Sequence, residues 1–391
     1  MTDMTGAGGF NEPITVVSPA KLKTQIVNIL SAWGMTQHDA AGIAEILVET
    51  DLRGIESHGA SMLPLYDTMR RAGGLNMRPS PRVVRETVAT ALIDADAGLG
   101  HLAAVKAIDL AVEKCKAVGV GAVSVFNSHH FGAAGIYAEM AARKGAVAFV
   151  TSSARTIAVL PEGGKTPVLG TNPIAFAAPS RGQDPFLLDM STSAVAANKV
   201  KVYAYHNKLL PPGWVTNDRG ETITDPHEGL RLCMGSGVGG LMPMGGNRDT
   251  GTHKGYGLAV MAQLLGSTLG GGSFSPFRMR DKGSDSPDNI GHFFLALSPD
   301  FFGQGSFEDD VADILAWLRG SPPSSPERPV MVAGEPEFSA RRRNQHGIRL
   351  NGRVPRCGAQ GRRGLRRCVH IGLRCGVIGA MNNAGAQLAG N

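Results

Sequence analysis

The chain has 391 residues, 42% of them apolar, which is ordinary for a globular protein and long enough for two domains around a large core. Its formal charge of +6 is local: from Phe338 onward there are 11 Arg and no Lys, Asp or Glu, leaving 28 basic and 33 acidic side chains in residues 1–337. The body is therefore mildly acidic and gives no reason to expect nucleic-acid binding. The longest apolar stretch, Tyr256 to Gly270, is too short and too polar to span a bilayer.

Ser18-Pro19 reads as an N-cap with Pro at the first helical position, and Leu22, Ile26, Ile29, Leu30 and Trp33 follow with helical spacing up to Gly34. A second helix begins after Thr36, with Asp39 in its first turn and Ile43, Ile46 and Leu47 on one face. It ends near Gly54, among Asp51, Arg53, Ser57, His58 and Gly59. Residues 83–96 read as a strand, and Gly98-Leu99-Gly100 opens a helix through Val112. Val118 to Phe126 is a compact apolar strand ending in Asn127-Ser128-His129-His130-Phe131-Gly132. A helix of small residues is expected over 133–144 and a strand over 146–151.

Short strands and turns alternate from Pro161 to Ser193. A Gly-rich loop, residues 235–251, leads into Lys254-Gly255-Tyr256-Gly257 and an apolar helix extending to Leu269. Residues 271–290 read as an exposed loop, 292–297 as a strand, 307–319 as a helix and 321–328 as a Pro/Ser linker. Cys115 and Cys233 are isolated in the body, while Cys357, Cys368 and Cys375 match no common zinc spacing. No metal is expected. No basic segment followed by an apolar run opens the sequence, so no secretory signal is read and a cytoplasmic location is expected.

Two strings have the form of dinucleotide fingerprints. Gly98-Leu99-Gly100-His101-Leu102-Ala103 lies between a strand and a helix, but the next strand ends in Asn127 rather than in a ribose-binding acid. Gly235-Ser236-Gly237-Val238-Gly239-Gly240 is not followed by a helix. The polar groups at element ends carry more information. His58 follows an apolar helix, His129-His130 ends a strand, and Asp189 ends the run Phe186-Leu187-Leu188. Reduction of a carbonyl by hydride needs a proton donor beside the oxygen, and an imidazole suits that task near neutral pH. A lone histidine is more often structural, so the order of the blocks matters more than any one of them.

Six blocks stand in order: Asp51-Leu52-Arg53-Gly54-Ile55-Glu56-Ser57-His58-Gly59, Asn127 to Gly135, Gly170-Thr171-Asn172-Pro173, Asp189-Met190-Ser191-Thr192-Ser193, His253-Lys254-Gly255-Tyr256-Gly257-Leu258 and Gly334-Glu335-Pro336-Glu337. Over roughly residues 15–350 the chain resembles the malate/L-lactate dehydrogenase family, which also holds ureidoglycolate, sulfolactate and diketogulonate enzymes. The resemblance implies an α/β fold that is not Rossmann: a cofactor domain on a largely antiparallel sheet, residues 116–299, and a mostly helical domain from 14–115 and 300–350. It implies a homodimer using NAD or NADP on a small 2-hydroxy or 2-oxo acid, with no nucleic-acid or membrane partner. His58 becomes the candidate proton donor with Asp189 as its partner, and His130 competes for the same role. Ser153, Thr171, Asn172, Asp189, Met190 and Ser191 would line the cofactor cleft. Lys254, Gly255, Gly334 and Glu335 would contact the dinucleotide.

The sequence departs from the family pattern twice. Many members carry an arginine four residues after the motif histidine, suited to gripping a carboxylate bidentately. Here that position is Met62, so Arg53 and Arg155 become the candidates for holding the substrate. Beyond Leu350 the chain turns Arg/Gly/Cys-rich without acids, as a shifted reading frame would, and disorder is expected over 351–391. A cyclic imino acid reductase and a catalytically silent protein on the same scaffold are the alternatives to a hydroxy acid dehydrogenase.

Overall fold

The computed structural model describes residues 15–234, 237–282 and 286–350. The expectation for 351–391 lies outside the described residues. Strand β1 (Thr15–Val17) pairs antiparallel with β11 (Ile348–Leu350), joining the two ends of the described chain. Helices α1 (Pro19–Ala32) and α2 (Gln37–Leu52) begin where their caps dictate: Ser18 Oγ accepts from Lys21 N–H and Thr36 Oγ1 from Asp39 N–H. They pack with α3 (Leu63–Arg71) around Leu22, Ile26, Leu30, Ile43, Leu47 and Tyr66.

Strands β2 (Arg82–Glu86), β3 (Thr90–Asp94), β4 (Val120–Ser128), β5 (Val147–Ser152), β6 (Ile174–Ala178), β7 (Phe186–Met190) and β10 (Ile290–Leu297) form one seven-stranded sheet. Its order is β2-β3-β4-β10-β5-β6-β7, and every pair is antiparallel except β3–β4. That parallel pair follows from the crossover helix α4 (Gly100–Val118) between its strands. The stretch 83–96, read as one strand, is a hairpin of two, because the Thr87 and Thr90 hydroxyls close a tight turn between them. These two strands give the segment 14–115 a share in the sheet as well as in the helical layer.

Ala103, Ala104, Ala107 and Ala111 line α4 where it lies on the sheet, and their small side chains let the two backbones approach closely. Helix α5 (Ala134–Ala142) covers the same face. A third apolar cluster joins α6 (Ala197–Tyr205), α7 (Pro226–Cys233), the two-residue strands β8 (Val215–Thr216) and β9 (Gly240–Leu241), and α8 (Thr252–Gly266).

Two expectations are corrected here. Residues 271–290 are not wholly an exposed loop: they contain α9 (Ser275–Lys282), with Ser275 and Arg278 buried. Its sequence has no apolar stripe for periodicity to detect; Arg278 is held by an ion pair to Asp288. The apolar helix expected to reach Leu269 ends at Gly266, followed by a separate 3-10 turn. Helices α10 (Phe307–Arg319) and α11 (Glu335–Asn344) complete the fold; α10 packs through Val311 and Leu315 beside Ala178 of β6.

Candidate active site

The turn after α2, helices α3 and α4 and the loop after β4 bring four aromatic or imidazole rings into one cluster. His58 and His130 stack with ring centroids 5.5 Å apart and planes 29° apart. Tyr66 of α3 places its hydroxyl 2.7 Å from His130 Nδ1, and Gly132 N–H donates to the same nitrogen at 3.3 Å. Ser57 Oγ lies 2.7 Å from His58 Nδ1. His101 of α4 sits edge-on to Tyr66, its ring centroid 6.4 Å from that of His130, with neither ring nitrogen hydrogen-bonded.

Burial holds His58 below its ordinary pKa and lowers His101 to about 3. His130 is pushed well below 6.5 by burial, and then by the neighbouring His58, His101 and His292. The cluster is therefore neutral at pH 7. His292 is a scaffold residue: Ser152 Oγ and Ser128 Oγ meet its two nitrogens at 2.8 and 2.9 Å, and it stacks on Phe131 at 4.3 Å.

A cleft of about 310 Å³ is lined by Arg53, Ile55, Ile136, Leu187, Asp189 and Glu337 among others, and none of the cluster's rings lines it. Two chain segments lead from the cleft to the histidines. Ile55 lines the cleft and its carbonyl accepts from His58 N–H at 3.0 Å. His130 begins the segment whose Gly135 N–H donates to Asp189 Oδ2 at 2.8 Å. The Asp189 side chain opens onto the cleft with protein packed behind it. Burial raises its carboxyl, the Gly135 hydrogen bond lowers it, Glu337 raises it and Arg53 lowers it, for a net rise to about 6.

The structure therefore does not place Asp189 against His58, as the sequence reading expected. Asp189 is bonded to Gly135 and His58 to Ser57, and no hydrogen bond joins the pair. The two arginines expected to hold substrate are also already engaged. Arg53 is buried in ion pairs with Glu49 and Glu139 and lies 5.6 Å from the Phe338 ring. Arg155 donates to Asp288 at 2.8 Å. Burial alone would raise Asp288, but His129 and Arg155 outweigh it and hold the carboxyl below its usual range. Met62 packs with the helical core.

The remaining expected residues fall in two places. Asn172 is fully buried, accepting from Ala154 N–H and donating to the Ala259 carbonyl, both at 2.9 Å, so its amide clamps α8 to the 154 loop. Its neighbour Thr171 and the segment Met190–Ser191 are tied together by Thr192, whose N–H and Oγ1 donate to the Thr171 carbonyl. Ser153 is buried beside Gly291. Gly255 packs on the Met244 backbone more closely than a side chain permits, and Lys254 is exposed with no ion-pair partner among the described residues. Gly334 lines the cleft. Glu335 accepts from Val332 N–H at 2.8 Å and pairs with Arg319, which fixes the strap 331–334 along the cleft wall.

The Gly98-Leu99-Gly100 string is not a phosphate loop. Gly100 N–H donates to the His130 carbonyl at 3.0 Å, and a methyl on Gly100 would lie 2.5 Å from the His129 carbonyl oxygen. The glycine is there because the histidine loop packs on it. Tyr66 and His101 were the residues that sequence reading missed; a tyrosine in an amphipathic helix carries no signal beyond burial.

No described helix is long and apolar enough to cross a membrane, and among the described residues no three His, Cys, Asp or Glu side chains form a metal cluster. In the cleft, Asp189, Glu337 and the apolar walls suit the ribose hydroxyls and flat ring of a nucleoside, while the guanidinium of Arg53 is held by Glu49 and Glu139.

Comparison with known proteins bears on these residues together. The model of the malate/L-lactate dehydrogenase family matches residues 17–356. The malate dehydrogenase of Pyrococcus abyssi is 36% identical over 333 residues, 85% of this chain and 89% of that one. The (2R)-3-sulfolactate dehydrogenase (NADP(+)) of Chromohalobacter salexigens is 35% identical over 307 residues, 78% and 87% of the two chains. Among solved structures, malate dehydrogenase from Entamoeba histolytica superposes with a TM-score of 0.81 at 30% identity, covering 86% of this chain and 94% of that chain. Delta1-piperideine-2-carboxylate reductase from Pseudomonas syringae gives a TM-score of 0.74 at 28% identity, covering 90% and 98%.

Proposed function

From the premise that the chain belongs to the malate/L-lactate dehydrogenase family and is an oxidoreductase acting on CH–OH donors, we propose that it transfers hydride between NAD or NADP and a small 2-hydroxy or 2-oxo acid. The observation that carries this reading is the pair of stacked imidazoles, His58 and His130, joined through the Ile55 and Gly135 segments to a cleft whose carboxylates and apolar walls suit a nucleoside. The nicotinamide would accept or deliver the hydride. The protein's part is to orient the substrate and handle the hydroxyl proton. A neutral imidazole has a lone pair for that proton when a hydroxy acid is oxidised, and the imidazolium returns it in the reverse direction.

Asp189, Glu337 and the apolar wall formed by Ile136 and Leu187 would hold the nucleoside part of the cofactor. Lys254 and the segments around Thr171 and Ser191 are proposed to meet its charged part, because Lys254 has no ion-pair partner among the described residues and stands at a helix start, where a cation is otherwise unfavourable. We further read the enzyme as a cytoplasmic homodimer. The exposed Ile314, Trp317 and Leu318 on α10 support association between copies.

A second reading, reduction of a cyclic imino acid, is favoured by one observation: Met62 is packed in the core while Arg53 and Arg155 are engaged by protein carboxylates, so none of these three positions offers a free guanidinium to grip a diacid. The deciding experiment is NADH and NADPH oxidation against pyruvate, oxaloacetate, sulfopyruvate and piperideine-2-carboxylate. Turnover with an oxo acid supports the first reading, and turnover with the imino acid alone supports the second. Loss of both turnover and cofactor binding refutes the reading as a dehydrogenase.

A further inference from the structure

We propose that Tyr66 is a positioning residue that fixes His130 in the tautomer with its proton on Nε2, leaving His58 to accept the substrate proton during oxidation. This rests on the dehydrogenase reading for its chemical consequence, but not for its geometry.

Two groups converge on His130 Nδ1: the Tyr66 hydroxyl at 2.7 Å and the Gly132 N–H at 3.3 Å. The Gly132 amide can only donate, but at 3.3 Å it holds Nδ1 weakly, so the shorter bond to Tyr66 decides the tautomer. The Tyr66 hydroxyl is fully buried and His130 Nδ1 is its one hydrogen-bond partner among the described residues, so its proton has no other acceptor. Burial also keeps the phenol un-ionised far above its usual range, so it remains a donor at any working pH. A neutral imidazole carries one proton, and with Nδ1 acting as acceptor that proton is on Nε2.

The chemical consequence separates the roles of two stacked histidines. His130 Nε2–H can donate a hydrogen bond to the substrate oxygen, but it has no lone pair with which to take a proton. His58 is the remaining acceptor. Its Nδ1 lies 2.7 Å from Ser57 Oγ, and the proposed role requires Nδ1–H to donate to that hydroxyl, which leaves the lone pair on Nε2. In oxidation a bound nicotinamide would supply the hydride acceptor for the C2 hydrogen, and the hydroxyl proton would go to His58 Nε2. The products are the 2-oxo acid, reduced cofactor and the His58 imidazolium.

The test is 15N NMR of histidine-labelled protein without substrate at neutral pH, with the His130 signals assigned by their loss in His130→Asn. The expected spectrum has an unprotonated Nδ1 and a protonated Nε2. Tyr66→Phe removes one donor without changing the ring, so it should mix the tautomers. It should also lower kcat by about 10–100-fold with little change in KM, the size of effect seen when the orienting partner of a metal-bound histidine is lost. Finding the wild-type proton on Nδ1, or an unchanged tautomer in Tyr66→Phe, would overturn the proposal. The wild-type spectrum decides even if the variant fails to fold. Absence of turnover with every acid tested, alongside the expected spectrum, would count against the dehydrogenase reading and leave the tautomer assignment standing.

Discussion

Gly135 N–H donates to Asp189 Oδ2 at 2.8 Å, and a methyl group at Gly135 would lie 2.7 Å from that same oxygen. The start of α5 thus touches the end of β7 with no space between them, so the loop carrying His130 and the cleft carboxylate move as one unit. Gly135→Ala forces Asp189 or α5 to shift. It should lower stability by about 1–3 kcal/mol, the usual cost of overpacking, and weaken cofactor binding. Urea titration followed by cofactor titration checks both effects.

Asp51 is buried at the base of the turn that carries His58, its Oδ2 accepting from Ala60 N–H at 2.9 Å and its Oδ1 without a partner. Burial raises its carboxyl, the Ala60 hydrogen bond lowers it and Glu56 raises it, for a net rise to about 7. The unfolded chain gives up this proton near 3.8, so native Asp51 holds it to higher pH and stability falls as pH rises from about 4 to about 7. Above that window the penalty is complete. Asp51→Asn lacks the titration, so its stability relative to wild type should improve across the window and then stay level. Thermal melts at intervals from pH 4 to pH 9 would show a parallel pair of curves if Asp51 does not titrate this way.

His58 and His130 should differ when each is replaced by Asn. Removing a general base costs about 10²–10⁴ in rate, and His58→Asn should fall in that range with cofactor binding unchanged. The amide of His130→Asn can still donate a hydrogen bond, so this variant should retain more turnover. Equal losses in the two variants would contradict separate roles, and steady-state kinetics with fluorescence titration of NADH distinguishes the outcomes.

Arg53 is more a keystone than a substrate ligand. Its buried guanidinium joins Glu49 of α2 to Glu139 of α5 and reaches the Phe338 ring of α11. Arg53→Ala leaves buried Glu139 with only Arg143. A loss of about 3 kcal/mol is expected, at the lower end for breaking a buried pair. Arg53→Met keeps the volume and should recover part of that stability. A purely kinetic defect, with KM raised and the melting temperature unchanged, would return Arg53 to the substrate site.

Much of the fold is readable from local signals. The caps at Ser18 and Thr36, the helical stripe through Ile43 and Leu47, and the alanines of α4 each express a preference that neighbours in the chain supply. The helix α9 is not readable this way: its apolar residues Phe277 and Met279 are exposed and form no buried stripe, while the buried Arg278 pairs with Asp288, ten residues further along the chain.

The sequence by itself determined the family, through six blocks in fixed order, and the residue types that do chemistry: imidazoles, a carboxylate and glycines at the ends of apolar elements. It did so because strand ends, caps and close-packing glycines leave local marks. Only the tertiary structure decided which of those residues act together. It set Asp189 on Gly135 rather than on His58, engaged Arg53 and Arg155 with protein carboxylates, and brought Tyr66 to His130 across 64 positions of sequence. Partnership between buried polar groups depends on which surfaces meet when the helices close over the sheet, and most buried donors then find an acceptor among whatever the packing presents.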